Sequence, residues 1–300
     1  MAIARRAEPA DLAVPRPAEK GTGAARHHLR RWAPISVGLL IAAAMIVVAA
    51  AAPYIAPLSP SAQFADAVLK GPGANERHLL GTDDFGRDIL SRIIWGARIS
   101  LQVGLASVVF GFALGVPLGI FAGYRGKRTD TLIMRATDML MAFPTLLLAL
   151  IIVTALGGSL GNEILAIGIA LTPNFLRLAR SLTLTIREHD YILAARGLGA
   201  GQLRVMARHV FPNALYALVV VATLYIATAI RTEASLSFLG LGIPPPTPSW
   251  GNILSEGRQY IKCCPWITTF SGLAIMLAVL AFNIVGDALR DLLDPRLRGE

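Results

Sequence analysis

The sequence predicts an all-α membrane protein of six transmembrane helices with both termini in the cytoplasm. Three observations lead there. Of its 300 residues, 54% are hydrophobic and only 16% charged, where soluble domains run to about 25% charged. Uncharged windows recur at 32–65, 99–124, 139–162, 209–230 and 263–286, each near or above the roughly 20 residues that cross the hydrocarbon layer. The charges also fall unevenly. With the N-terminus inside, segments 1–31, 123–135, 177–208 and 287–300 hold 7, 4, 6 and 3 Lys/Arg, the excess that marks cytoplasmic loops. On the opposite side eight bases face eight acids, so the whole net charge of +9 lies on the cytoplasmic face. Basic loops between apolar windows argue against a nucleic-acid partner, which requires a basic face on a folded soluble domain.

Residues 1–31, rich in Ala, Pro and Arg without an apolar period, read as a disordered basic cytoplasmic tail. The run after them is long enough to span and no small-residue cleavage site follows it, so it reads as a retained anchor with Arg30 and Arg31 among lipid headgroups. The chain thus divides into the tail, a first helix with its outside segment at 32–98, and a five-helix core at 99–300. In the outside segment, Thr82, Asp83 or Asp84 can cap a helix running through Leu90 and Trp95 into the second span. Gly104, Gly111, Gly115 and Gly119 follow; the last three lie four residues apart and share a face that permits close helix contact, either within this chain or with a partner. Asp138, near the cytoplasmic edge of the third span, reads as a helix-end partner of Arg135. Pro144 is expected to kink the third span and Pro173 the fourth. The window 164–176 is short, and crosses if its ends use Gly161, Asn162 and a snorkelling Arg177 or Arg180; otherwise the count is five.

Between the fourth and fifth spans lies a polar stretch, 190–213. A short helix is expected over residues 191–196, broken by Gly197 and Gly199, and a second over 203–209, with Pro212 opening the fifth span because its missing N–H costs nothing in a first turn. This protruding helix–break–helix suits contact with another protein; an ordinary amphipathic loop helix is the plain alternative. After the fifth span comes a stiff outside loop with four prolines, where Arg231 and Glu233 are candidates to pair. Cys263 and Cys264 are adjacent, a spacing at which a disulfide is strained, and read as an apolar pair without chemistry or, alternatively, as an intermolecular bridge.

Several stretches carry a resemblance. Ala194-Ala195, Gly199 and Pro212 look like the "EAA" coupling loop of permease subunits of ATP-binding-cassette importers. The family usually carries Glu where Leu193 stands and often Leu where Phe211 stands, so no role of that Glu is carried over. HLLGTDDFGRDILSRIIWGARISL at 78–101, TEASLSFLGLG-x-x-PPxPSWG at 232–251 and the GDxLRDxLDPR ending at 286–296 are similar to the C-type permease subunit of dipeptide and oligopeptide importers. The resemblance implies a type I importer permease fold in the cell inner membrane. It implies four kinds of contact: two ATP-binding subunits, a second and different permease, an extracytoplasmic solute-binding protein, and lipid. Ala194, Ala195, Arg196, Gly197, Gly199 and Pro212 are then candidates for docking the ATPase. Asp83, Arg87, Glu233, Pro245 and Trp250 are candidates for contact with the binding protein or the partner permease.

The chemistry of the sequence agrees with a passive passage. There is no GxxxxGK[ST] phosphate loop, no Ser/His/Asp set, no paired carboxylates in a span and no metal-ligand spacing. No cofactor is expected on this chain, ATP and Mg²⁺ belonging to partner subunits, and the chain is expected not to be an enzyme. Peptides are the expected solute, with nickel chelates, glutathione or another small solute as alternatives. A membrane-embedded enzyme would need converging polar residues in the bilayer, and a channel would want a pore-lining ring and no coupling loop.

Overall fold

The computed structural model describes residues 23–74 and 76–293, with side chains from Ser36 to Leu292. Among the described residues its regular elements are helices, with one isolated bridge between Thr82 and Asp88. The elements are α1 Gly23–Ile55, α2 Ile89–Arg125, α3 Lys127–Met141, α4 Thr145–Leu156, α5 Leu160–Ile186, α6 Asp190–Gly197, α7 Gln202–Val205, α8 Phe211–Phe238, α9 Trp250–Gly257 and α10 Trp266–Leu293. A π segment, Met206–Val210, joins α7 to α8 without a break.

Among the described residues, four helices are long and apolar enough to cross a membrane: Ser36–Ile55, Ile89–Arg125, Gln202–Phe238 and Trp266–Leu292. The consecutive pair α3 and α4 makes a fifth if taken as one broken span, bent by 86°. Pro144 therefore does more than kink the third span: it stands before the first residue of α4, where its missing N–H ends one helix and opens another. Pro173, by contrast, sits inside an unbroken α5.

The short window 164–176, expected as the fourth of six spans, lies inside α5, which runs 27 residues. Its Glu163, Arg177 and Arg180 keep it out of the purely apolar class. What α5 has instead is company. It lies along α2 in the most extensive helix pair of the fold. The glycine face of α2 makes this possible. A methyl group on Gly111 would meet the carbonyl O of Gly168 at 3.0 Å, one on Gly115 that of Thr172 at 2.6 Å, and one on Gly123 that of Arg180 at 2.9 Å, while one on Gly119 would lie inside contact distance of the carbonyl O of Leu176. Both series rise in steps of four in the same direction, so α2 and α5 run parallel, backbone against backbone. The glycines are used within the chain, and Gly123 completes a ladder of which the sequence pattern showed three rungs. Gly104 faces Ile230 of α8. The main core collects around this pair, with Val116, Leu171, Phe175, Leu218 and Ile230 among its fully buried members.

At one end of the bundle residues 56–88, α9 and 258–265 fold over the helix ends as a cap. Its own small core is Ile89, Ile253, Cys264 and Ile267. The other end carries α3, α6 and α7 and is called here the loop end.

Several expectations are corrected. The first helix stops at Ile55, so 56–65 belong to the cap. It begins at Gly23, so residues 23–31 are helical and not part of a disordered tail; the expectation for 1–22 lies outside the described residues, as do the side chains of Arg30 and Arg31 and the ending at 294–296. The N-cap of α2 is Asp88, whose side chain accepts from the Ser91 amide at 2.7 Å, and none of Thr82, Asp83 or Asp84. Asp138 bonds Arg177 at 2.7 Å across to α5, and not Arg135.

Candidate functional site

Two regions contain the sequence-derived candidates. The first is the loop end between α5 and α8. Helix α6 extends over Asp190–Gly197, so Gly197 finishes the helix and does not break it. The turn comes at Gly199, with φ +86°, a left-handed conformation that favours glycine. Amides of Leu198, Gly199 and Ala200 return to carbonyls of Ala194, Arg196 and Ala195, closing the helix end. The expected second helix at 203–209 is not a separate element, for Gln202 to Phe238 is one continuous helical run in which Pro212 occupies the first turn of α8.

One side of this loop is anchored and the other is bare. Ile192 and Val205 are fully buried in the core, and a buried side chain of that size contributes about 1.5–3 kcal/mol. Arg187 donates from Nη1 to the carbonyl O of Gly123 at 2.8 Å, capping the end of α2. Arg196 lies over the ring of Tyr124, 5.9 Å from its centroid. Facing away, Leu198 is 89% and Leu203 76% exposed, with Tyr191 and Leu193 beside them. Among the described residues, nothing beyond the local backbone lies within 4 Å of where a side chain on Gly197, Gly199 or Gly201 would begin.

The second region is the cap. Asp83 receives the Arg87 backbone N–H at 2.8 Å and the Arg87 Nε at 2.7 Å, and pairs with Arg92 Nη1. Glu256 of α9 accepts from Arg87 at 2.8 Å and from Arg92 at 2.6 Å. Four side chains from three stretches therefore form one closed network. His78 meets Asp88 at 3.1 Å beside it. Asp84 stands at its edge with Tyr260; burial, and then the neighbouring Asp83, push its carboxyl above the ordinary carboxylate range. Trp250 is buried, its Nε1 donating to the Ile93 carbonyl at 3.0 Å.

This corrects the candidate contacts. Asp83, Arg87, Glu233 and Trp250 are buried inside the chain and present no side chain to a partner; of the five, Pro245 is exposed. Glu233 is 0% exposed and does not pair with Arg231, which reaches Thr228 instead. Glu233 accepts from Ser100 and Ser237, both at 3.1 Å, and Ser100 in turn accepts from the Trp250 amide at 3.2 Å. Glu163, 1% exposed, has no hydrogen-bond partner on either oxygen among the described residues. Both Cys263 and Cys264 are free thiols, Cys264 buried in the cap core where burial, with the adjacent Cys263, pushes its thiol up to about 11. Among the described residues no three His, Cys, Asp or Glu side chains gather as a metal-holding group.

Arg92 and Glu256 were not legible as site residues. The one signal was the numerical balance of eight bases against eight acids on that side, of which the structure pairs Arg87 and Arg92 with Asp83, Asp84 and Glu256. Removing Arg92 leaves Asp83 and Glu256 short of a partner in a buried setting, and Arg92→Ala is expected to cost about 3–5 kcal/mol. Asp84→Asn is expected to be harmless at neutral pH. Its raised carboxyl value means that ionisation opposes the folded state, so stability is fully present below the unfolded value of 3.8 and falls as pH rises through the folded one. Thermal unfolding of the two variants in detergent separates them; equal melting temperatures at neutral pH would refute the network's structural weight.

Residues 115–299 match the family described as "Binding-protein-dependent transport system inner membrane component". The di/tripeptide transport system permease protein DppC of Pseudomonas aeruginosa is 47% identical, covering 87% of this chain and 88% of its own. The dipeptide transport system permease protein DppC of Escherichia coli is 46% identical over 91% of this chain and 92% of its own. A putative peptide transport system permease protein of Brucella abortus is 42% identical over 98% of both. Among solved structures, an inward-facing conformation of the MetNI methionine ABC transporter superposes with TM-score 0.57 at 19% identity, covering 68% of this chain and 97% of that one, a likeness of fold.

Proposed function

The chain belongs to the family of inner membrane components of binding-protein-dependent transport systems, and from that premise we propose that it is a permease subunit of an ATP-driven peptide importer, forming one half of the passage. The observation that carries the coupling role is the bare apolar tip of the loop end, Leu198, just past the end of α6, a helix rooted by Ile192. The peptide reading rests on relatives named for dipeptide transport at 46–47% identity.

In this reading two ATP-binding subunits, a second and different permease and a solute-binding protein complete the machine, and ATP with Mg²⁺ is bound by the ATPases alone. Helix α6, with Ala194, Ala195, Arg196 and Gly197, and the turn at Gly199 seat in the ATPase, while Pro212 starts the helix that follows. Movement of the ATPase is passed through Ile192 to the core, through Arg187 to the end of α2, and through the π segment to α8. A π segment and a broken helix pair are joints at which a bundle rearranges without losing its core. Pro245, on the exposed loop between α8 and α9, is the remaining candidate for contact with the binding protein.

The proposed topology is six spans with both termini inside, which puts the cap outside. It is supported by the Lys/Arg asymmetry and by α5, whose 27 residues extend about 40 Å in parallel with α2. Reporter fusions at Gly73 and Pro245 are expected to read outside, and at Lys127 and Gly201 inside; an outside signal at Gly201 sinks the scheme. For function, a cell lacking this chain but keeping its partner subunits is expected to lose uptake of a labelled dipeptide and regain it with the chain restored. Unchanged uptake would overturn the peptide assignment.

A further inference from the structure

We propose that the loop end carries a binding site for one anionic phospholipid, with an acyl chain in a groove between α2 and the π segment and the headgroup held by Arg125, Arg204 and Arg208. The groove is a cavity of about 480 Å³ whose walls include Pro117, Leu118 and Phe121 on one side and Leu203, Met206 and Phe211 on the other. It presents almost no polar surface, so it suits a hydrocarbon chain.

The charges lie where a headgroup would. At 1.5 Å rise per residue, Arg125 is about 6 Å beyond Phe121 and about 12 Å beyond Pro117 along α2, which puts the cation at the interface and the groove in the acyl region. The Arg125 guanidinium already folds back over the Phe121 ring, 5.4 Å from its centroid, at the groove's mouth. Arg204 follows Leu203 and Arg208 follows Ala207, so each flanks a residue of the opposite wall. All three arginines are exposed. Among the described residues none has a carboxylate within 4 Å. Arg177, Arg180 and Arg187 at the same end are paired with Asp138, Asp130 and Glu188. Three uncommitted cations around an apolar slot complement a phosphate on an acyl chain, and basic residues at this depth favour anionic lipid. The site depends on the chain being membrane-embedded and not on the solute carried.

The test uses the chain co-expressed with its partner subunits, purified in mild detergent and exchanged against vesicles of phosphatidylglycerol or phosphatidylcholine, with bound lipid counted by native mass spectrometry. Retention of phosphatidylglycerol over phosphatidylcholine is expected at about tenfold or more. Ala207→Trp fills the groove and is expected to remove the bound lipid. The triple variant Arg125→Gln, Arg204→Gln, Arg208→Gln is expected to keep a lipid but lose the preference. Equal retention of the two lipids by the unaltered chain overturns the proposal. So does a cross-link from Leu118→Cys to the second permease in the membrane, which would mean that protein fills the groove.

Discussion

Leu198→Asp and Gly199→Trp are each expected to reduce peptide uptake tenfold or more, with binding-protein-stimulated ATP hydrolysis falling alongside it. Leu198 makes almost no contact inside the chain, so a polar replacement costs the isolated subunit nothing. If its side chain is buried in the ATPase, about 1.5–3 kcal/mol is lost, a factor of about ten to a hundred in docking. Gly199 adds a second effect. Its φ of +86° would strain any other residue, by about 1–2 kcal/mol, and the indole would project into the space the partner must fill, since the chain itself places nothing there. Membrane insertion and protein level are expected to stay normal, because Ile192 and Val205 still hold the loop. Gly197→Ala is the silent control: it lies in a helix with open space around it. Arg196→Glu should give a milder loss, for the charge reversal also disturbs its stacking over Tyr124. Intact transport by Leu198→Asp and Gly199→Trp together would remove the coupling role.

The other large effect is on folding. Gly119→Leu is expected to cost about 3 kcal/mol or more and to yield little stable protein. Backbone atoms of Leu176 and Arg180 crowd the position from α5, and backbone of a packed helix has no rotamer to change. The two helices would have to part along their ladder, uncovering Val116, Leu171 and Phe175 in the core. Gly161→Ala is the matched comparison, since nothing lies near that position; it should be neutral or slightly stabilising. The measurement is fluorescence-detected size exclusion after mild solubilisation. A monodisperse Gly119→Leu variant at normal level would show that α2 and α5 are not closely packed.

Much of this protein is written locally. The apolar windows, the loop arginines and the glycine steps of four specify helices of a given length, and a helix face that demands a close neighbour, because hydrophobic length and backbone approach depend on residues near in sequence. The helical loop at 190–199 is legible for the same reason, as are Pro144 as a point of interruption and the free loop prolines. What the sequence could not say is which helix meets the glycine face, since α5 lies 57 residues on from the first rung at Gly111 to Gly168, and a pattern on one helix does not name its partner. It could not assign the charges either. Asp83, Arg87 and Glu233 read as exposed polar residues near a surface, yet the cap turns Asp83 and Arg87 inward to Glu256 and Arg92, while Glu233 is closed off by Ser100 and Ser237. Asp138, which is exposed, meets Arg177 of another helix and not Arg135 of its own because the fold brings Arg177 alongside. A buried charge takes whichever partner the tertiary fold brings within hydrogen-bonding distance, because desolvation penalises every alternative that leaves it alone; that selection is made in three dimensions, after the helices have been placed.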